Sequence, residues 1–266
     1  MGASVTAAKQ HIRTLVKHRL SSMAQDAILA QSTPSGLSAN RCNLVALTPP
    51  GCAIFDALVS FKPYRDARTI SLFLSMPAAE VQTDAIVRHA LKCGKHVFVP
   101  YLHRPSAPDL PPQKSSPSHP PNRVMDMVQL HSVDDYDNLT RDRWGIPSVD
   151  PASVPGRQRI LAPDAVELDL VLVPGVAFDT DEAGCVRRLG HGRGFYDSFI
   201  SRYLHARASS ATASTQPVLP LYGLALSEQL LLPGSGEQVP MDIHDHKLHG
   251  LILGNGNMIE SPKSRM

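Results

Sequence analysis

DLVLVPGVAF, residues 169–178, is apolar almost from end to end. A run so rich in valine and leucine has the composition of a strand buried on both faces at the centre of a sheet. Outward from it the period changes repeatedly. ARTISLFLS (67–75) reads as a buried strand ending near Ser75, KHVFVPYL (95–102) as the next, MDMVQL (125–130) as a short one, and YGLALS (222–227) and LHGLIL (248–253) as late strands. Helical spacing holds between them. Over residues 7–31 the apolar positions are Ile12, Leu15, Val16, Leu20 and Met23, with Lys9, Arg13, Lys17 and Arg19 off that stripe. Thr83 is placed to cap a helix over Asp84–Lys92 that Gly94 ends. From Tyr196 the spacing Tyr196, Phe199, Ile200, Tyr203, Leu204 is helical again.

Strands alternating with helices predict an α/β fold: a mostly parallel, Rossmann-like sheet with helices on both faces, three layers α/β/α in all. In such sheets a ligand lies beyond the carboxyl ends of the strands. The 266 residues suffice for a full core, and a single domain spanning 1–266 is expected. Three loop insertions interrupt it, near 32–53, 103–123 and 206–218. The middle one is too rich in proline for a helix or a central strand.

A net charge of +2 and a pI near 8.4 argue against a nucleic-acid partner bound by a large basic face. No apolar run approaches the length of a membrane span, so no membrane association is expected. Cys42, Cys52, Cys93 and Cys185 form no C-x-x-C pair and read as reduced thiols. The chain opens on MGASVT, which fits the short myristoylation pattern at Gly2, and its first acid is Asp26. A cytoplasmic monomer is expected, with a mitochondrial address left open by that basic start.

The densest glycine pattern is RLGHGRGFYD, residues 188–197. Phe195 stands where a dinucleotide fingerprint needs its last glycine, and no P-loop lysine follows. Gly190, Gly192 and Gly194 would let bare backbone approach an anion, with a helix N-terminus behind it. Arg188, His191 and Arg193 add donors, and Asp197 could hold a cation. A plain turn with Asp197 as helix cap fits this stretch equally well.

The wider stretch LVPGVAFDTDEAGCVRRLGHGRGFYD resembles the signature of the 5-formyltetrahydrofolate cyclo-ligase (5,10-methenyltetrahydrofolate synthetase) family. KQHIR (9–13), LFLSMPAAEVQT (72–83), RWGIP (143–147), LALSEQLL (224–231) and HDHKLHG (244–250) resemble its other segments, in order. The resemblance implies ATP and magnesium as co-substrate and cofactor, and a reduced folate as substrate. It implies conversion of 5-formyltetrahydrofolate to 5,10-methenyltetrahydrofolate through a phosphorylated formyl group, the iminium phosphate, closed by N10.

By that resemblance Lys9, Gln10, His11, Ile12 and Arg13 bind ATP, together with Arg188, Leu189, Gly190, His191, Gly192, Arg193, Gly194, Phe195 and Tyr196. Leu74, Glu80 and Trp144 bind the folate with residues 191–195, Glu80 holding the pterin donors. Met125 is a further candidate for the folate's aromatic system. Asp197 and Asp245 ligate magnesium, and His191 and Arg193 serve the chemistry. Asp197→Ala is then expected to abolish turnover and leave the fold intact.

Arg193 stands where many members carry lysine, His249 replaces a common acid, and MPAAE approaches its glutamate with one residue more than some members. Two alternatives stand beside this reading: a non-catalytic folate- or nucleotide-binding relative, and a sugar-phosphate isomerase or CoA-transferase-like enzyme on a similar sheet. His244, His246 and His249 read as a solvated loop rather than a metal site. DTDEAG (179–184) superficially resembles a calcium loop but reads as a turn between short strands.

Overall fold

A computed structural model describes residues 2–32, 54–105, 122–210 and 218–262. Seven strands form the main sheet in the order β11-β10-β9-β6-β1-β2-β3. They are β1 (Thr69–Leu72), β2 (His96–His103), β3 (Val124–Leu130), β6 (Leu170–Val173), β9 (Leu221–Ala225), β10 (Gly250–Leu253) and β11 (Met258–Glu260). The five inner strands run parallel, and the edge strands β3 and β11 pair antiparallel. Two hairpins lie outside this sheet: β4 (Thr140–Arg141) with β5 (Pro147–Ser148), and β7 (Ala177–Thr180) with β8 (Val186–Leu189).

Alternation along β6 explains the three layers. Leu170 and Leu172 face a core shared with Ile12, Val16 and Leu20 of α1 (Gly2–Ser21), Ile28 of α2 (Gln25–Ser32), and α3 (Ile54–Ser60) and α5 (Asp84–Lys92). Val171 and Val173 face the other core, closed by Phe199, Ile200 and Tyr203 of α7 (Phe195–Ser210) and by Phe178 and Val186 of the second hairpin. Each fully buried aliphatic side chain contributes about 1.5–3 kcal/mol, so the two stripes fix which helix covers which face. The short helices α4 (Lys62–Asp66) and α6 (Val133–Asp137) complete the connections.

The structure corrects the sequence reading in four places. The apolar run 169–178 is two strands, because Pro174 has no N–H for the ladder. The chain leaves the sheet there, and the Phe178 ring fills the space a Cβ on Gly175 would need (2.4 Å). The stripe over 7–31 is split into α1 and α2, and the hydroxyls of Ser21 and Ser22 donate back to the carbonyls of His18 and Arg19 at the break. Thr83 sits at the start of α5 without capping it. Its hydroxyl accepts from the Ser75 N–H (3.2 Å), while the Ser75 hydroxyl accepts from the Thr83 N–H (3.3 Å). Finally, α7 continues through Ser210 into the expected third loop, steadied by Arg207 donating to the carbonyls of Ala165 and Val166.

Residues 33–53, 106–121 and 211–217, most of the three expected insertions, lie outside the described residues, as do Cys42 and Cys52. Among the described residues, no helix is long and apolar enough to cross a membrane.

The strand order locates the site. The chain moves from β1 to β2 on one side and returns to place β6 on the other, so direction reverses between β1 and β6. Ligands of open parallel sheets gather at the carboxyl ends on either side of such a switch point. Here the end of β1 leads to Glu80, and the end of β6 leads through the β7–β8 hairpin to the glycine loop.

Candidate active site

A cleft of about 230 Å³ opens beside that switch point, lined by Lys9 and Arg13 of α1, Arg188 to Gly190 at the end of β8, Gly192, Gly194, Asp197 and Asp245. The four-residue spacing of Lys9 and Arg13 brings both to one side of α1, along the flank of its buried stripe, where each is half-buried. Thr6, one turn earlier, joins them in the lining. Sequence reading passed over Thr6, although its i−3 relation to Lys9 is the signal that would have found it.

Each basic group in the cleft has a different tether. Lys9 Nζ meets Asp245 Oδ2 at 2.5 Å, joining α1 to the C-terminal loop. Arg13 Nε donates to the Gly190 carbonyl at 2.9 Å, and its guanidinium lies 3.3 Å from where a Cβ on Gly192 would stand. Burial against this loop lowers the Arg13 pKa, while the Asp245 charge opposes the shift. Arg188 is the most enclosed, its side chain 3% exposed. It donates to Asp197 Oδ2 at 2.7 Å and to the Pro174 carbonyl at 3.3 Å, and its guanidinium lies over the Tyr196 ring. Its Nε has no partner among the described residues.

The loop itself is open. Gly192 and Gly194 take φ of +100° and +65°, which side chains other than hydrogen rarely tolerate. Among the described residues nothing accepts a hydrogen bond from the N–H groups of residues 191–194. α7 starts directly behind, so its unpaired first-turn N–H groups add to the same concavity. Asp197 lies in that first turn of α7 and is not its cap. Its Oδ2 takes Arg188, and its Oδ1 accepts from the His246 N–H at 3.1 Å.

His191 and Arg193 are exposed at the tip of the loop, and neither has a partner among the described residues. Solvent reaches His191, yet crowding by the loop, followed by the charges of Lys17, Arg13 and Arg188, holds its imidazole below the ordinary value.

Glu80 lies outside the cleft lining and is 6% exposed. Its Oε2 accepts from the Met76 N–H at 2.9 Å, closing a turn in which Ala79 adopts φ +59°. Burial pushes the Glu80 carboxyl up to about 7, against the smaller opposing effect of the Met76 bond. Tyr196 is its neighbour: its phenol pKa is raised first by burial and next by the charge of Glu80. Tyr196 is thus neighbour both to the Arg188 guanidinium of the cleft and to the buried carboxyl.

The remaining candidates are placed less directly. Gln10 and His11 are exposed and outside the cleft lining, and Ile12 belongs to the core beneath α1. Leu74 is buried in the same core at the end of β1, whereas Met125 packs in the core under α7. Phe195 is half-buried against that second core. Trp144 is 63% exposed at the tip of the β4–β5 hairpin, with Arg143 over its ring. Its neighbour Gly145 lies against Pro77, three residues before Glu80. His246 Nε2 pairs with the Ser201 hydroxyl, and His249 Nδ1 accepts from the Leu221 N–H.

A mostly parallel sheet whose switch-point cleft presents open loop N–H groups, several cations and two carboxylates defines an α/β protein with a cationic cleft at the switch point of its sheet. The sequence profile of the 5-formyltetrahydrofolate cyclo-ligase family matches residues 5–253, and the chain belongs to that family. It is 31% identical over 200 residues to the Schizosaccharomyces pombe protein named "Probable 5-formyltetrahydrofolate cyclo-ligase", covering 75% of this chain and 81% of that one. The 5-formyltetrahydrofolate cyclo-ligase of Mus musculus is 28% identical over 250 residues, 94% of this chain and 95% of its own. Among solved structures, the Aquifex aeolicus 5,10-methenyltetrahydrofolate synthetase superposes with a TM-score of 0.55 at 18% identity, over 97% of this chain and 95% of that one, a likeness of fold.

Proposed function

We propose that this chain is a ligase that uses ATP and magnesium to convert 5-formyltetrahydrofolate to 5,10-methenyltetrahydrofolate. The observation that carries the reading is the cationic cleft around the glycine loop, with the buried Glu80 close to Tyr196 where α7 begins.

A formamide oxygen is a poor leaving group. Transfer of the γ-phosphoryl of ATP to that oxygen gives an iminium phosphate. N10 then attacks the activated carbon and loses its proton, and phosphate leaves with the former formyl oxygen. The protein's part in such chemistry is to align two substrates and to neutralise phosphoryl charge.

Lys9, Arg13 and Arg188 hold the phosphates with the loop N–H groups. Arg193, uncommitted and permanently charged, meets the phosphoryl group as it transfers. His191, its imidazole pKa lowered by crowding and its cationic neighbours, accepts the N10 proton. Glu80 takes the pterin N–H donors, with Leu74 beside it and Trp144 over the outer part of the folate. Asp197 and Asp245 suit magnesium, because a hard cation takes carboxylate oxygens and both line one cleft. When bound, the ion supplies further neutralisation of phosphate charge.

The test is the purified protein with 5-formyltetrahydrofolate and MgATP, following methenyl absorbance and ADP together. Equal rates of both are expected. Tight folate binding without either product would identify a sequestering relative, and no binding of folate or nucleotide would refute the site.

Gly192→Ala is expected to weaken nucleotide binding more than 10-fold. Alanine costs about 1–3 kcal/mol at this φ, and its methyl group would press on the Arg13 guanidinium. Calorimetric titration with a magnesium complex of a non-hydrolysable ATP analogue checks this.

A further inference from the structure

The DTDEAG turn has no part in the function above, and its two aspartates are both saturated by protein donors. Asp179 and Arg187 face each other across the β7–β8 hairpin. Arg187 Nε donates to Asp179 Oδ1 at 2.7 Å and Nη2 donates to Oδ2 at 2.5 Å. The pair is nearly enclosed, and the same Asp179 Oδ2 accepts from the Val239 N–H at 2.8 Å. Asp181 Oδ1 accepts from the N–H groups of Ala183 and Cys185 inside the turn, and its Oδ2 takes Lys247 Nζ at 2.7 Å. Each carboxylate oxygen of the pair already faces a protein donor, and those donors have a common destination.

Val239 and Lys247 bracket the segment that carries Asp245. The next residue, Leu248, donates its N–H to the Val186 carbonyl of the same hairpin. Between these anchors Asp245 faces Lys9, and its Oδ2 also accepts from the Asp242 N–H. β8 of that hairpin runs straight into the glycine loop. One rigid hairpin therefore fixes both walls of the cleft, through β8 on one side and through Asp179 and Asp181 on the other.

We propose that Asp179 and Asp181 are positioning residues, a two-point clamp that sets where Asp245 stands in the cleft. Neither touches the ligands. The inference rests on the proposed role of Asp245 with the magnesium nucleotide. The two points differ in strength. Asp179 is buried and accepts charge-assisted bonds, whereas Lys247 is 41% exposed, and an exposed pair contributes little.

The experiment measures two affinities, for the magnesium complex of a non-hydrolysable ATP analogue and for 5-formyltetrahydrofolate. Asp179→Asn places an amide where three donors converge and is expected to weaken the nucleotide by about 10-fold. Lys247→Met is expected to weaken it by about 3-fold, with Lys247→Arg restoring it. Folate affinity should stay within 2-fold of the parent in all three. Lys247→Met lies on the surface and keeps the test valid should Asp179→Asn fold poorly. Nucleotide affinity unchanged in Lys247→Met, or folate and nucleotide weakened equally, overturns the clamp while the site stands. A parent protein that binds no magnesium nucleotide overturns the site and the clamp together.

Discussion

Asp197→Ala is expected to lose turnover by at least about 10³-fold and to lose part of the fold with it. The first effect follows from its proposed place at the metal. Removing a ligand that neutralises phosphoryl charge forfeits several kcal/mol of transition-state stabilisation, and about 4 kcal/mol corresponds to that factor. The second follows from Arg188, whose side chain is 3% exposed and whose charge Asp197 balances at 2.7 Å. Taking one partner from a buried pair strands the other at a cost of about 3–5 kcal/mol. The structure thus replaces the simpler expectation, from sequence, that alanine would leave the fold intact. Asp197→Asn separates the two effects, since it keeps an acceptor for Arg188 while removing the charge. Thermal denaturation should show a much smaller loss for asparagine, with turnover as low as in the alanine variant. An asparagine variant within 10-fold of the parent rate would remove Asp197 from the metal.

Glu80→Gln should weaken folate binding by about 100-fold and at the same time strengthen the free protein above pH 7. Hydrogen bonds to a charged acceptor account for the loss, at about 1.5–3 kcal/mol. The gain comes from linkage. The Glu80 carboxyl sits at about 7 in the folded protein, against 4.5 for an unperturbed glutamate. Between those values the folded state binds a proton that the unfolded chain has released, so stability falls as pH rises through the window. Above it the penalty levels off near 3 kcal/mol at most, because the carboxylate must then be held charged out of water. Glutamine accepts the same Met76 bond without titrating. Urea denaturation at pH 5 and pH 8 should show the parent losing stability between them and the variant losing correspondingly less. An identical pH dependence in both would place the carboxyl in water instead.

Local pattern carried the fold a long way. The apolar run at 169–178 named the sheet centre, and the stripe Ile12, Val16, Leu20 named the covering helix, because burial imposes a period that neighbouring residues must share. The same logic explains the misses. Pro174 turns the chain out of the sheet for lack of one N–H, a defect that a composition count does not weigh. Thr83 spends its hydroxyl on Ser75 instead of its own helix, and that choice depends on where β1 ends. At the site, the spacing of Lys9 and Arg13 and the glycines of 190–194 were legible as local features. The resemblance supplied Asp245 and Glu80. What neither supplied were the pairings, Lys9 with Asp245, Arg188 with Asp197, and Asp179 with both Arg187 and Val239. These are contacts between segments that meet only after folding.

The contact between Lys9 and Asp245 spans 236 positions of the chain, and that separation governs biosynthesis. At about 5–20 residues per second, the ribosome delivers the acid roughly 10–50 s after the lysine. Every strand from β1 to β9 has been made by then, so the sheet has its centre before the cleft has its second wall. β10 and β11 are made later still, so the sheet's last inner strand and the second wall of the cleft both wait for residues from 245 onward.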